Sequence, residues 1–527
     1  MHKKEKIMKS TIAKRCRVLG ASLAVLSMAL LAACSSGDGS DTSGGGTPVP
    51  GGTLTVITET DGLTLDPTVT AGGAQSVGNL MLPIFDTLIR VDVNGEIRPR
   101  IATSVESEDR QTWTIELREG VTFTDGTPFD AEALKFNWER AQEPTSPITK
   151  RDANAITSMT VTSPTTLEVT LDAPSSGFPF LLQGSLGMIG SPTAIKEMGE
   201  DYSAAPVGAG PFILEQRVPG SMYSYKKNPD FWEEGRPYVD ALNIKLIVET
   251  QQAEAAFKAG ESDLFYTGDP RVQRDLKATG HEALTPEAFG GYQYTFNTTS
   301  LPTSDVRVRK AIIMALDPEA LSDRATQGAA APWTTLFPQT SPYHAPEHQW
   351  PFNGDIKEAQ ELIDSYVAEH GPVEITYEAI SSDRAWADAI AERVNSQLDD
   401  ITITIGTVSL QKALDNLYSG QYTIANNSLQ GFDPIPTLSN RLLCDSGGNN
   451  ANYCNEEMDR LLKRAAVTSS QDERVEILRE VQKLLVQELP FFPQMERKIE
   501  LFVNDSAKGA HIYDAGLIEY ESLWIDE

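Results

Sequence analysis

Residues 117–136 read LREGVTFTDGTPFDAEALKF, and within them a strand ends, a turn forms and a helix begins. The preceding Thr112–Leu117 (TWTIEL) alternates apolar and polar side chains, as a half-buried strand does. Phe123-Thr124-Asp125-Gly126 ends a strand in a turn that needs glycine. Thr127-Pro128-Phe129-Asp130 predicts a helix start, with Thr127 as N-cap, Pro128 in the first turn and an acid three residues on. Leu134, Trp138 and Ala141 then fall on one face. The same mixture continues outward. Thr53–Thr58 (TLTVIT) and Thr166–Leu171 (TLEVTL) alternate as strands. Helices are expected near Ser304–Leu316, with Val308, Ala311, Ile312 and Ala315 on one stripe, and from Asn455, with Met458, Leu461, Leu462 and Ala465. A third starts at the Ser470/Glu473 capping box and carries Ile477, Leu478, Val481, Leu484 and Leu485 until Pro490 stops it. Such stripes are core, and the mixture predicts an α/β protein.

The chain has 527 residues, too many for one ordinary core, so two or three structural units are expected. Its hydrophobic content of 40% is that of a soluble globular protein. The formal charge is −30. A surface of this sign repels phosphate backbones, which excludes nucleic acid as a partner and favours a soluble monomer.

Seven basic residues (Lys3, Lys4, Lys6, Lys9, Lys14, Arg15 and Arg17) precede an apolar stretch from Val18 to Ala33. The stretch is short for a membrane span and suits the h-region of a signal peptide covering residues 1–33. It ends in Leu31-Ala32-Ala33-Cys34, which looks like a bacterial lipobox, so Cys34 is expected to carry lipid. The alternatives are a plain signal peptide or an N-terminal membrane helix with Cys34 incidental. Ser35 to Gly52 (SSGDGSDTSGGGTPVPGG) is Gly/Ser-rich, and residues 34–52 read as a lipidated cysteine and flexible tether with a reach of roughly 25 Å. Cys16 leaves with the signal, so Cys444 and Cys454 remain, bracketing CDSGGNNANYC. In an oxidising compartment they are expected to form a disulfide. Half of a zinc site is the rival reading, and no further Cys or His lies nearby.

From Gly52 onward, ordered blocks carry a resemblance. They are GGTLTV with Leu65-Asp66-Pro67, Ile84-Phe85-Asp86-Thr87-Leu88 with Glu96-Ile97-Arg98-Pro99, and the block quoted first. PVGAGPF (206–212), NPDFW (228–232), AFKAGESDL (256–264) and VRVRKAIIMALD (306–317) follow. YCNEEMDRLLKRA (453–465), DERVEILREVQKLL and ELPFFP (488–493) close the series. Together they resemble the family 5 (peptide/nickel type) extracellular solute-binding proteins of ABC importers, over nearly the whole mature chain.

The resemblance implies a two-lobed, periplasmic-binding-protein-like α/β fold (type II, large cluster C-like) with an extra subdomain in the first lobe. The expected division is 53–95, 205–290 and 500–527 for lobe I, 96–204 for the extra subdomain and 291–499 for lobe II. It further implies capture of a small ligand, most plausibly a peptide, and delivery to ABC permease subunits outside the cell membrane, with no cofactor and no catalysis. A free amine needs a carboxylate and a free carboxylate needs Arg or Lys. Asp433, in LQGFDPIPTL, resembles the family's Asp-Pro segment, and Arg384, in SSDRAWADAI, occupies a place where some members present a carboxylate-binding arginine. Phe432, Trp386, Tyr292 and Tyr294 are candidate apolar walls. Asp433 beginning a turn, Arg384 solvated near a helix start and the aromatics in the core are the plainer alternatives.

No GxSxG, HExxH or P-loop is present. His344 and His348, in HAPEH, read as loop residues, and no dedicated metal site is expected. A secreted hydrolase, a sensing lipoprotein, and the same binding role for a sugar or chelated metal remain as other readings.

Overall fold

Strand Thr53–Thr58 forms where its alternation predicts, and it lies at the centre of the largest sheet. It runs parallel to Ala241–Leu246 and to Leu264–Thr267, so the connections to each must cross over. Met222–Lys227 and Phe212–Val218 extend the sheet on one side, Glu500–Val503 and Ala283–Leu284 on the other. Leu54 and Val56 point into a core shared with Leu80, Ile84 and Phe85, while Ile57 joins Phe257, Phe265 and Phe502 on the opposite face. The computed structural model describes residues 47–526 except 63, 70–74, 92–95, 144–146, 185, 287–288, 353, 432, 469, 497 and 514–515. The expected signal segment and the lipidation at Cys34 lie outside the described residues. Among those residues, no helix is long and apolar enough to cross a membrane.

A second core lies between residues 88 and 209. There Ala102–Glu106, Thr112–Leu117, Thr166–Leu171 and Ile156–Ser163 form an antiparallel sheet in that order. Helix Ala131–Gln142 buries Leu134, Trp138 and Ala141 as its spacing requires. Its N-cap, however, is Asp130, whose side chain accepts from the Ala133 N–H at 2.9 Å. The correction has a local cause. Thr127 is committed to the preceding turn, where its N–H donates to Asp125 at 2.9 Å and Gly126 has φ +82°. Arg140 reaches back from this helix to Asp66, so the Leu65-Asp66-Pro67 opening is tied to the second core.

The Gly-Ala-Gly of PVGAGPF has a packing reason. The Gly210 N–H donates to the Ile84 carbonyl at 2.7 Å, and a Cβ there would stand 2.5 Å from the Ile84 carbonyl carbon. Neither this glycine nor Gly208 has a positive φ; close backbone approach excludes larger residues.

The third core spans residues 289–492. Phe289–Phe296 is the middle strand of a three-stranded antiparallel sheet, flanked by Phe491–Glu496 and by the edge strand Ile424–Gly431. Val373–Ala379 and Ile401–Thr407 form a parallel pair beside it. The expected helices are Val306–Ala315, Glu456–Val467 and Gln471–Glu488, started by Asp305, Asn455 and Ser470. The capping box is half formed. Ser470 accepts from the Glu473 N–H, but the Glu473 carboxylate takes Arg464 and the Thr468 hydroxyl instead.

Candidate functional site

A cavity of about 790 Å³ opens in the third core beside the edge strand. Helix Leu410–Ser419 forms one wall with Leu410, Ala413, Leu414, Leu417 and Tyr418, the spacing of a single helical face. Leu410 is 59% and Tyr418 71% exposed, among the most exposed large apolar residues of the described chain. Polar residues make up much of the remaining lining. Asn426, Asn427 and Ser428 come from the edge strand, Tyr377 and Glu378 from Val373–Ala379, and Tyr292 from the middle strand.

The outer edge of Ile424–Gly431 has no strand beside it in the sheet order, and side chains occupy its backbone groups. The Asn426 N–H faces the Tyr377 hydroxyl and favours its ionised form. The Ser428 N–H donates to Asn427 Oδ1 at 2.8 Å, and the Ser428 carbonyl accepts from Arg441 at 3.0 Å. An exposed edge would otherwise invite pairing with another chain.

Beneath this wall lies Asp383, 5% exposed. Its Oδ1 accepts from Tyr294 Oη at 2.8 Å, Gln494 Nε2 at 2.8 Å and Asn426 Nδ2 at 3.2 Å, and its Oδ2 accepts from the Tyr377 hydroxyl. Burial pushes the carboxyl up to about 6, although these donors favour the ionised form. Asp383 stands at the N-cap position of helix Arg384–Gln397, yet its side chain makes no capping bond.

The disulfide expected between Cys444 and Cys454 is present and closes a loop that supports the cavity. Asn450, inside the loop, accepts from Arg441 at 2.7 Å and from Asn427 at 3.2 Å, and its carbonyl accepts from the Tyr422 hydroxyl. Replacing both cysteines by serine is expected to lower stability by about 2–3 kcal/mol on the chain-entropy account. Chemical unfolding of the variant beside the oxidised protein checks this; equal midpoints would show that the crosslink adds no stability.

Of the residues singled out from sequence, the cavity gathers Tyr292. Tyr294 is fully buried and donates to Asp383. Trp386 is packed into the third core. Arg384 has an exposed side chain bonded to Asp388 and Thr407, both at 2.8 Å, and is not among the lining residues. Asp433 is buried; it caps helix Pro434–Leu442 through the Ile435 N–H and pairs with Arg474 at 3.3 Å. Phe432 lies outside the described residues. His344 sits in a turn, its ring against the Phe337 carbonyl. Asp383, Tyr377, Asn426 and the apolar helix face are not singled out by the sequence reading. Their signals were IANNSLQG, a strand-length segment too polar for a buried interior, and the Leu410-to-Tyr418 stripe.

The family model for bacterial extracellular solute-binding proteins, family 5, middle region, matches residues 96–451. A glutathione-binding protein, GsiB, of Salmonella paratyphi A is 27% identical over 410 residues, which cover 75% of this chain and 79% of that protein. Among solved structures, the binding protein AgaA of Agrobacterium tumefaciens R10 with agropinic acid superposes with a TM-score of 0.78 at 22% identity, covering 90% of this chain and 99% of that one. DppA of Helicobacter pylori with the peptide STSA gives 0.77 at 20% identity, covering 91% and 99%. These likenesses show the α/β fold of two-lobed periplasmic binding proteins. The match over residues 96–451 shows more, and the chain belongs to the family 5 bacterial extracellular solute-binding proteins.

Proposed function

We propose that this solute-binding protein serves an ABC importer by capturing a short peptide or peptide-like ligand at the 790 Å³ cavity and handing it to the permease. The observation that carries the reading is the cavity's mixed lining, an exposed apolar helix face together with amide, hydroxyl and carboxylate groups. A peptide offers apolar side chains to the first and polar main-chain groups to the second. The relative named for glutathione, itself a tripeptide, and the neighbour bound to STSA support the same class. The division given above into lobe I, extra subdomain and lobe II belongs to this reading, with closure of the lobes enclosing the ligand. So do lipidation at Cys34 and tethering to the outer face of the cell membrane, where the permease lies.

Native mass spectrometry of the mature protein as purified tests the proposal. A retained peptide-like molecule, released chemically unchanged, is the expected result. A cleaved product would point to a hydrolase. Absence of any retained ligand, with no heat of binding from di- and tripeptides or glutathione, would refute the peptide class. With the ligand in hand, Tyr292→Ala should weaken binding by about tenfold, the loss of one aromatic contact. Arg384→Ala, with its partners Asp388 and Thr407, should leave binding unchanged.

A further inference from the structure

An aspartate at the start of a helix ordinarily accepts from the backbone N–H groups there. Asp383 does not; its carboxylate turns inward to four donors from four other segments. Burying a carboxylate in this way costs free energy unless a cation accompanies it. No ion pair to Asp383 is formed among the described residues, and Arg384 beside it is directed to Asp388 and Thr407. The titratable groups facing Asp383 are Tyr294 and Tyr377; the other two elements present the neutral amides of Gln494 and Asn426. Tyr377 and Asn426 also line the cavity.

The bonding pattern makes the two oxygens unequal. Oδ1 already accepts three donors, so a proton taken up from solvent must reside on Oδ2, where the Tyr377 hydroxyl now donates. The two hydroxyls cannot both donate to each other. A protonated Oδ2 donates to the Tyr377 oxygen and forces the phenolic O–H to turn away. The same oxygen faces the Asn426 N–H of the edge strand, which then competes for its lone pairs.

We propose that Asp383 is a positioning residue of the ligand cavity: proton uptake by its buried carboxylate reverses the Tyr377 hydroxyl and loosens the Asn426 N–H, changing the donor and acceptor pattern presented to the ligand. This rests on the cavity being the ligand site, as proposed above. Ionised, Asp383 makes Tyr377 an acceptor toward the edge strand. Protonated, it makes Tyr377 a donor toward other partners. The mildly acidic position of this carboxyl places the change in a range an extracytoplasmic protein meets.

Hydrogen exchange of the mature, ligand-free protein tests the proposal, read by mass spectrometry on peptides spanning 373–379 and 422–431. After correction for intrinsic rates, exchange at Asn426 should be about three- to tenfold faster at pH 5 than at pH 8, the worth of one hydrogen bond. Asp383→Asn and Tyr377→Phe should each abolish the pH dependence while the rest of the protein keeps its protection. A flat wild-type profile would overturn the proposal, and so would an unchanged midpoint in Asp383→Asn. If one variant fails to fold, the other variant and the wild-type profile still decide. The readout needs no ligand, so its failure is distinct from a failure to find a retained peptide.

Discussion

Replacing Arg90 by methionine is expected to lower the stability of the fold by about 3–5 kcal/mol, the cost of breaking a buried ion network from one side. Arg90 is fully buried. Its guanidinium donates to Asp86 at 2.8 Å, Glu521 at 2.6 Å and the Tyr513 hydroxyl at 2.8 Å. Arg100 binds the same two carboxylates at 2.9 and 2.7 Å and adds Glu233 at 3.0 Å. Trp232 donates to Asp86 at 3.1 Å and lies against Arg100. Burial alone would push the Asp86 carboxyl up; the Arg100 and Arg90 charges hold it below its ordinary value. Methionine fills much of the volume but leaves Asp86 and Glu521 to share Arg100, one buried negative charge in excess. Urea unfolding should show a clearly lower midpoint for Arg90→Met, and Glu521→Gln added to it should restore part of the loss. An unchanged midpoint in the single variant would mean that the network contributes nothing to holding the first two cores together.

This network explains why some sequence blocks identify the family while lying away from the cavity. Asp86 sits in Ile84-Phe85-Asp86-Thr87-Leu88, Arg100 follows Glu96-Ile97-Arg98-Pro99, and Trp232 ends NPDFW. Gly208 and Gly210 lie in PVGAGPF against Ile84. Each block holds one side of an ion cluster or a close backbone approach, where a substitution leaves a charge unpaired or a clash. Such constraints are local in sequence even when their partners are distant, so the fold was legible. Strands Thr112–Leu117 and Thr166–Leu171 were legible for the simpler reason that one face of each is buried, whereas Thr53–Thr58 is covered on both faces at the centre of its sheet.

The site was much less so. Tyr292 lines the cavity, whereas Asp433 and Arg384, named through the resemblance, have their charges engaged by Arg474 and Asp388. Asp383 precedes Arg384 in the same segment, where an exposed acid–base pair is the natural reading. What makes it unusual is its burial among Tyr294, Asn426 and Gln494, which lie 89, 43 and 111 residues away. No local pattern records that. The apolar face of Leu410–Ser419 reads as core by periodicity, and only the structure shows Leu410 and Tyr418 uncovered.

Asp383 also sets a stability prediction whose sign is opposite to that of ordinary paired carboxylates. Its folded value of about 6 lies above the reference of 3.8, so the folded state holds the proton more tightly than the unfolded chain. The contribution is therefore fully present below about pH 4 and is lost as pH rises through about 6. Across that window it amounts to about 3 kcal/mol, of which roughly 1 kcal/mol falls between pH 5 and pH 7. Glu519 acts the other way but elsewhere. Burial would raise it, yet the bond with His511 and the Arg90 charge hold it at about 2, so its contribution disappears only below the ordinary glutamate range. Glu59, pushed up by burial, acts in the same sense as Asp383, and a variant is needed to separate the two. Wild-type protein should thus gain stability from Asp383 as pH is lowered from 7 to 5, and Asp383→Asn should lack that gain. Unfolding midpoints of both proteins across this range measure the difference, and parallel profiles would mean that Asp383 binds its proton no more tightly folded than unfolded. Removing the ionisable group also removes the choice it imposes on Tyr377, so the stability slope and the hydrogen-exchange midpoint at Asn426 should vanish together. Two quantities lost through one substitution would tie the free-energy cost of a buried, unpaired carboxylate to the cavity wall it organises.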